Sequence, residues 1–199
     1  MQKLLSRRRP VTFVLFGSAL MQGGLSMGQL IRDEARMFYV TGLHNAHAME
    51  TQAIQLLTRQ IERLETYPEI EAKLREHLEE SKTQRTRLEE VLQTLNEKHS
   101  ALKEAVLGLG GNIAALAHTT ASDEIIKNTL ANYMFEHFEI AAYKSLIEMA
   151  QFMGDAGGEA AAKASLREEA LMAAWIDERI APTTRIFLER SNQGIAADH

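Results

Sequence analysis

The chain has 199 residues, enough for one domain with a full core, and it contains no cysteine, which excludes disulfides, thiolate metal sites and thiol catalysis. A formal net charge of −5 argues against a general nucleic-acid binder, whose phosphate contacts show as a basic surface. Three prolines, few aromatic residues and abundant Ala, Leu, Glu and Gln predict an all-α protein.

Residues 1–27 stand apart from the rest. Lys3 and Arg7, Arg8 and Arg9 precede an apolar run from Val11 to Leu20, the charge-then-apolar order of a secretory signal. The run is too short to span a bilayer comfortably, so stable membrane insertion is not expected. Leu20, Met21 and Gln22 stand where a small-x-small cleavage motif would be needed. Two readings stay open: a leader that exports the protein, or an extension upstream of a true start at Met27, which leaves the protein cytoplasmic.

From about Val40 the chain becomes periodic, and the predicted domain covers 38–190. Leu43, His47, Glu50, Ile54, Leu57, Ile61 and Leu64 step by four and three, the seam of a helix packed in a bundle. Thr66 to Glu69 supplies a capping box with Pro68 in the first turn of a second helix, and so short a connection makes the two helices antiparallel neighbours. The second seam, from Ile70 through Leu74, His77, Ser81, Gln84 and Leu88 to Leu95, is apolar at its ends and polar in its middle. Glu80 lies one turn beyond His77. Residues 101–109, followed by Gly110 and Gly111, read as a short crossover helix between helices two and three.

A third helix is expected from the N-cap Ser122 to about Met153, with Glu136, Glu139, Tyr143, Leu146 and Ala150 on one face. Gly154 to Gly158 breaks it. The fourth helix carries Ala162, Leu166, Glu169, Ala173, Ile176 and Ile180 on its seam, and residues 191–199 read as a flexible tail.

Carboxylates on inward stripes need compensation, because an unpaired buried charge costs several kcal/mol. Glu50 and Glu80 are 30 residues apart across the first hairpin, and Glu139 and Glu169 are 30 apart across the second. Residues equidistant from a hairpin turn lie at one height, so the four converge on one layer, with His77 and Glu136 a turn away. A single seam Glu is ordinarily a boundary residue reaching water; four in paired register point instead to a carboxylate-bridged dinuclear metal site. A set rich in oxygen and poor in nitrogen suits iron or manganese better than copper. His47 is a candidate extra nitrogen ligand, and Gln84 a partner for a ligand carboxylate. His137 reads as packing or surface, Tyr143 as a core aromatic, and the charges from Arg85 to Glu90 as a solvated face. Leu56, Leu78, Phe135, Phe138 and Ile147 lie off the four seams and suggest a second buried face, hence a homodimer.

EHFEIAAY at 136–143, HLEESKTQRTRLEEV at 77–91, METQ around Glu50 and LREEA at 166–170 resemble the YciE/YciF-type ferritin-like proteins, bacterial proteins associated with stress responses. The resemblance covers roughly 38–190. It implies a ferritin-like four-helix bundle, commonly dimeric, with a dinuclear metal centre carried over onto Glu50, Glu80, Glu136, Glu139 and Glu169, with His77 beside them. The chain departs from the usual Glu-x-x-His pattern, having Thr83 and Met172 where histidines would stand. Two functions follow as expectations. One is a metal-dependent protein with an oxidase- or peroxidase-type or metal-handling role; the other is a metal-free helical stress or interaction protein.

Overall fold

The four periodic stretches become four long helices in the computed structural model, which describes residues 26–97 and 122–198. They are α1 (Met27–Arg63), α2 (Pro68–Thr94), α3 (Glu124–Met153) and α4 (Ala156–Asn192), and the described residues contain no strand. Residues 1–25 of the stretch expected to be a leader or extension (1–27), and the crossover helix expected at 101–109, lie outside the described residues.

Contacts at the helix ends fix the topology. Arg63 at the end of α1 donates to both carboxylate oxygens of Glu124 at the start of α3, and Tyr39 Oη donates to Asp155 Oδ2 in the α3–α4 turn at 2.9 Å. Thus α1 and α3 are antiparallel. Glu69 early in α2 accepts from Arg179 late in α4, while Arg87 late in α2 reaches Glu168 early in α4, so α2 and α4 are antiparallel too. The neighbouring pairs are α1–α2, α3–α4, α1–α3 and α2–α4. This order runs up, down, down, up, so the end of α2 and the start of α3 lie at opposite ends of the bundle.

The ends differ in detail from the sequence reading. Ser26 caps α1, its Oγ accepting from Gln29 N at 3.1 Å, so the helix starts at Met27, well before the periodic pattern sets in near Val40. The N-cap of α2 is Tyr67 and not Thr66, and that of α3 is Asp123 and not Ser122; neither side chain makes a capping bond. At α3 the docked C-terminus does that work instead, with Ile125 N donating to the Asp198 carbonyl at 2.7 Å. Tyr67 Oη donates to the Ala197 carbonyl at 2.7 Å, and Ala197 is buried. Ala197 and Asp198, within the stretch expected to be a flexible tail, thus bond back to Tyr67 and Ile125, while residues 191–196 are exposed. Gly154 ends α3 in the left-handed region (φ 73°), as its place after the last seam residue demands.

Two apolar clusters fill the bundle. One is built around Tyr39, Leu43, Met49, Leu88, Phe135 and Leu146, the other around Leu57, Ile61, Leu74, Ile125, Met172 and Ile176. Phe135 and Ile147, expected on an outer face, are buried in the first cluster. The seam of α1 runs through Ala46, Glu50 and Ala53, with His47 and Ile54 at its edge. Near the second cluster, the Gln60 and Asn132 amides exchange two buried hydrogen bonds of 3.0 and 2.8 Å, which fixes the α1–α3 register.

Asp155 also caps α4, its Oδ1 accepting from Gly158 N at 2.9 Å while its Oδ2 holds Tyr39. A Cβ at Gly158 would overlap the buried Tyr39 hydroxyl and sit 2.7 Å from Asp155 Oδ2, whereas one at Gly157 meets nothing closer than 3.4 Å. Gly158→Ala is therefore expected to lower stability by about 1–3 kcal/mol through overpacking. Gly157→Ala should raise it by about 0.5–1 kcal/mol through helix propensity. Paired thermal melts check both signs.

Candidate metal centre

Between the apolar clusters lies a polar layer drawn from all four helices. Glu50 comes from α1, His77, Ser81 and Gln84 from α2, Glu136 and Glu139 from α3, and Ser165 and Glu169 from α4; all are buried. Single donor atoms of His77, Glu136, Glu139 and Glu169 lie within 4.8 Å of one another, a grouping that can hold a metal ion. Several oxygens of the layer meet no hydrogen-bond donor: Glu50 Oε2, Glu136 Oε2 and both oxygens of Glu139 and of Glu169. Buried acceptors left in this state require protons or a cation.

His77 is the hub. Its Nε2 is 3.3 Å from Glu136 Oε1 and 3.6 Å from Glu169 Oε2, and its Nδ1 is 3.0 Å from Glu80 Oε2. The bond from His77 holds the Glu80 carboxyl below the usual range, so Glu80 is an anion there and Nδ1 carries the proton. Burial alone would lower the imidazole; the Glu136 charge and the hydrogen bonds to Glu136 and Glu80 outweigh it and raise His77 well above its ordinary value. Glu50 stands beside the group of four, held by Tyr143 Oη, which donates to Glu50 Oε1 at 2.6 Å.

The structure thus brings together His77, Glu136, Glu139 and Glu169, sets Glu50 next to them, and turns Glu80 outward. Three residues of helix sweep about 300°, so Glu80 sits about 60° off the stripe that His77, Ser81 and Gln84 share. His47 does not reach the layer: its Nε2 pairs with Glu89 Oε1 at 2.8 Å across the α1–α2 edge. His137 packs edge-on against Tyr133, ring centroids 4.5 Å apart.

Two participants were not foreseen. Glu168 accepts from Gln84 Nε2 at 3.0 Å and from Arg87 in a bidentate pair of 2.6 and 2.9 Å. Arg87 is accordingly no freely solvated residue of a charged run; it and Gln84 hold the residue next to Glu169. Gln84, in the polar middle of the α2 seam, marks the position in the sequence, but nothing local names Glu168 or Arg87 as its neighbours.

A four-helix bundle in up-down-down-up order with a buried His/Glu layer at mid-height defines the ferritin-like class. Residues 34–189 match the family described as a domain of unknown function, DUF892, and the chain belongs to that family. A Xanthomonas campestris protein of known crystal structure is 28% identical with a TM-score of 0.68, over 80% of this chain and 99% of its own. The Escherichia coli stress protein YciF is 21% identical with a TM-score of 0.61, over 74% of this chain and 94% of its own. YcfI from Rhodopseudomonas palustris is 22% identical with a TM-score of 0.58, over 72% and 92% respectively. The last two share the fold, and together with the family match they bear out the resemblance to YciE/YciF-type proteins.

Burial, reinforced by neighbouring carboxylates, pushes Glu50 up to about 8 and Glu169 up to about 10, and raises Glu139 strongly. A carboxyl raised in the folded state supports the fold fully below its unfolded value, near 4.5, and that support is lost as pH rises through the folded value. For His77 the support is complete below about 6.5 and is lost above it. Both trends run the same way. Metal-free protein should melt at least about 3 °C lower at pH 7.5 than at pH 5.5, the shift that one kcal/mol produces in a chain of this size. Calorimetry in the presence of a chelator checks it.

Proposed function

We propose that the chain is a metal-binding bundle protein holding iron or manganese, with His77, Glu136, Glu139 and Glu169 as the inner donors, Glu50 completing a second ion position, and Glu80 orienting His77 from outside. The approach of four buried donor atoms to within 4.8 Å, with the Glu139 and Glu169 oxygens lacking any donor, supports this reading most. Four buried carboxylates balance the charge of two divalent ions, and a mixed oxygen set with one imidazole matches iron or manganese. When bound, such ions supply Lewis acidity and one-electron redox chemistry.

The protein's own residues prepare that site in three ways. Glu80 fixes the Nδ1–H tautomer of His77, which leaves Nε2 toward the carboxylates. Tyr143 holds Glu50 at a defined rotamer through a short buried hydrogen bond. The apolar clusters on either side, with Met49 and Met172 fully buried, keep bulk water out. An oxidase- or peroxidase-type or metal-handling role in stress fits a site of this chemistry, in keeping with the description of YciF as a stress protein. Among the described residues no helix is long and apolar enough to cross a membrane.

A second reading is favoured by one observation: His77 lies 3.0–3.6 Å from three carboxylates and is raised, so an imidazolium can serve as the counter-cation itself. The chain is then a metal-free helical stress or interaction protein. Metal content separates the two. Protein purified without chelator and reconstituted with iron or manganese should carry up to about two ions per chain. Glu169→Gln and Glu139→Ala should lower that occupancy. Less than about a tenth of an equivalent in either metal excludes the metal-binding reading.

Assembly as a homodimer is the accompanying proposal. Leu130, Met134 and Phe138 form an exposed apolar stripe along α3, a surface that helices ordinarily cover. Light scattering at micromolar concentration should give twice the chain mass, and a monomeric mass counts against it.

A further inference from the structure

Building on the metal-binding reading, we infer that divalent cations reach the buried layer through the α2–α4 face, passing beside the Glu80–His77 pair. A depression of about 490 Å³ opens there, lined by Glu76, Glu79, Glu80, Thr83, Arg87 and Glu168. Glu80 belongs both to this lining and to the interior. Its side chain is 29% exposed, yet its Oε2 lies 3.0 Å from Nδ1 of His77, whose side chain is only 1% exposed. The opposite edge of that ring faces Glu136 and Glu169 at 3.3 and 3.6 Å. Two side chains therefore bridge solvent and the inner carboxylates.

The wall behind the depression is polar and incompletely satisfied. Gln84 donates to Glu168 in the lining at 3.0 Å, but its own Oε1 is buried and meets no donor, as is the Oγ of Ser81 one turn from His77. Polar atoms in that state accommodate water or a passing cation, whereas a sealed wall would be apolar. The groove between α3 and α4 makes the contrast. It is floored by Ile140, Leu166, Ala170 and Ala173, and Lys144 balances its one carboxylate, Asp177, where the α2–α4 depression has four carboxylates to one arginine.

Charge at the mouth completes the route. Arg87 neutralises Glu168 through its bidentate pair, which leaves Glu76 and Glu79 as the outermost carboxylates, 62% and 70% exposed. Their single lysine partners are of the weakly coupled i,i+3 surface type, so the mouth keeps a negative field.

The test separates route from site. Equilibrium dialysis with Mn²⁺ measures occupancy, and the decay of the free Mn²⁺ paramagnetic resonance signal after mixing measures the uptake rate. Glu76→Gln/Glu79→Gln should slow uptake at least about threefold and flatten its dependence on ionic strength, with occupancy at saturation unchanged. Glu62→Gln/Glu65→Gln, removing the same charge from exposed positions near the end of α1, should leave the rate at the wild-type value. Equal rates in all three proteins, or equal slowing in both variants, overturn the route while the site stands. Absence of Mn²⁺ binding by wild type overturns both.

Discussion

Everything in this bundle answers to the burial of like charges. Glu50, Glu136, Glu139 and Glu169 approach one another in a layer from which water is excluded by an apolar cluster on either side. Coulomb repulsion in such surroundings is several-fold larger than at a surface, and desolvation adds to it. No packing energy at those positions offsets this, so the layer persists only with positive charge supplied. Without metal, His77 supplies one unit, placed centrally, and protons on the carboxylates remove the rest; metal ions would take over that role with His77 as a neutral imidazole. The neighbouring devices serve the same end: Tyr143 on Glu50, Glu80 on His77, and Arg87 with Gln84 on Glu168 each hold a group that the repulsion would otherwise displace.

Most of this was legible in the residues themselves. Apolar periodicity marks all four helices, Gly154 marks the α3–α4 turn, and the polar interruptions mark His77, Glu136, Glu139, Glu169 and Glu50 as inward residues. Failures occurred where the signal is weak in physical terms. Alanine barely registers as hydrophobic, so the α1 seam was drawn through His47 and Ile54 when Ala46 and Ala53 let α1 approach closely. A spacing of three leaves a residue at the margin of its stripe, and the 30-residue symmetry between Glu50 and Glu80 does not correct for that angle. Long-range ion pairs such as Arg87–Glu168, and the return of Ala197 and Asp198 onto Tyr67 and Ile125, leave no local trace at all.

Glu80 shows how one helical angle changes a residue's chemistry. Pointing inward it would be a fifth buried carboxylate and would deepen the repulsion. At the margin it keeps its charge in contact with solvent, lowers its own proton affinity through His77, and raises that of the imidazole in return. The resemblance to YciE/YciF-type proteins implies a ligand at this position; the local geometry pairs Glu80 with His77 at the margin of the layer.

The up-down-down-up order also bears on how the chain assembles. Each hairpin is local in sequence, whereas the layer joins residues such as Glu50 and Tyr143, 93 positions apart. The α3–α4 hairpin gathers Glu136, Glu139 and Glu169 with no cation among them, and the imidazole arrives with α1–α2. Docking of the hairpins is thus the late, high-contact-order step, and it is assisted by attraction between a triad of carboxylates and one histidine. The charges that burden the finished core are the same ones that select the correct face for the last encounter.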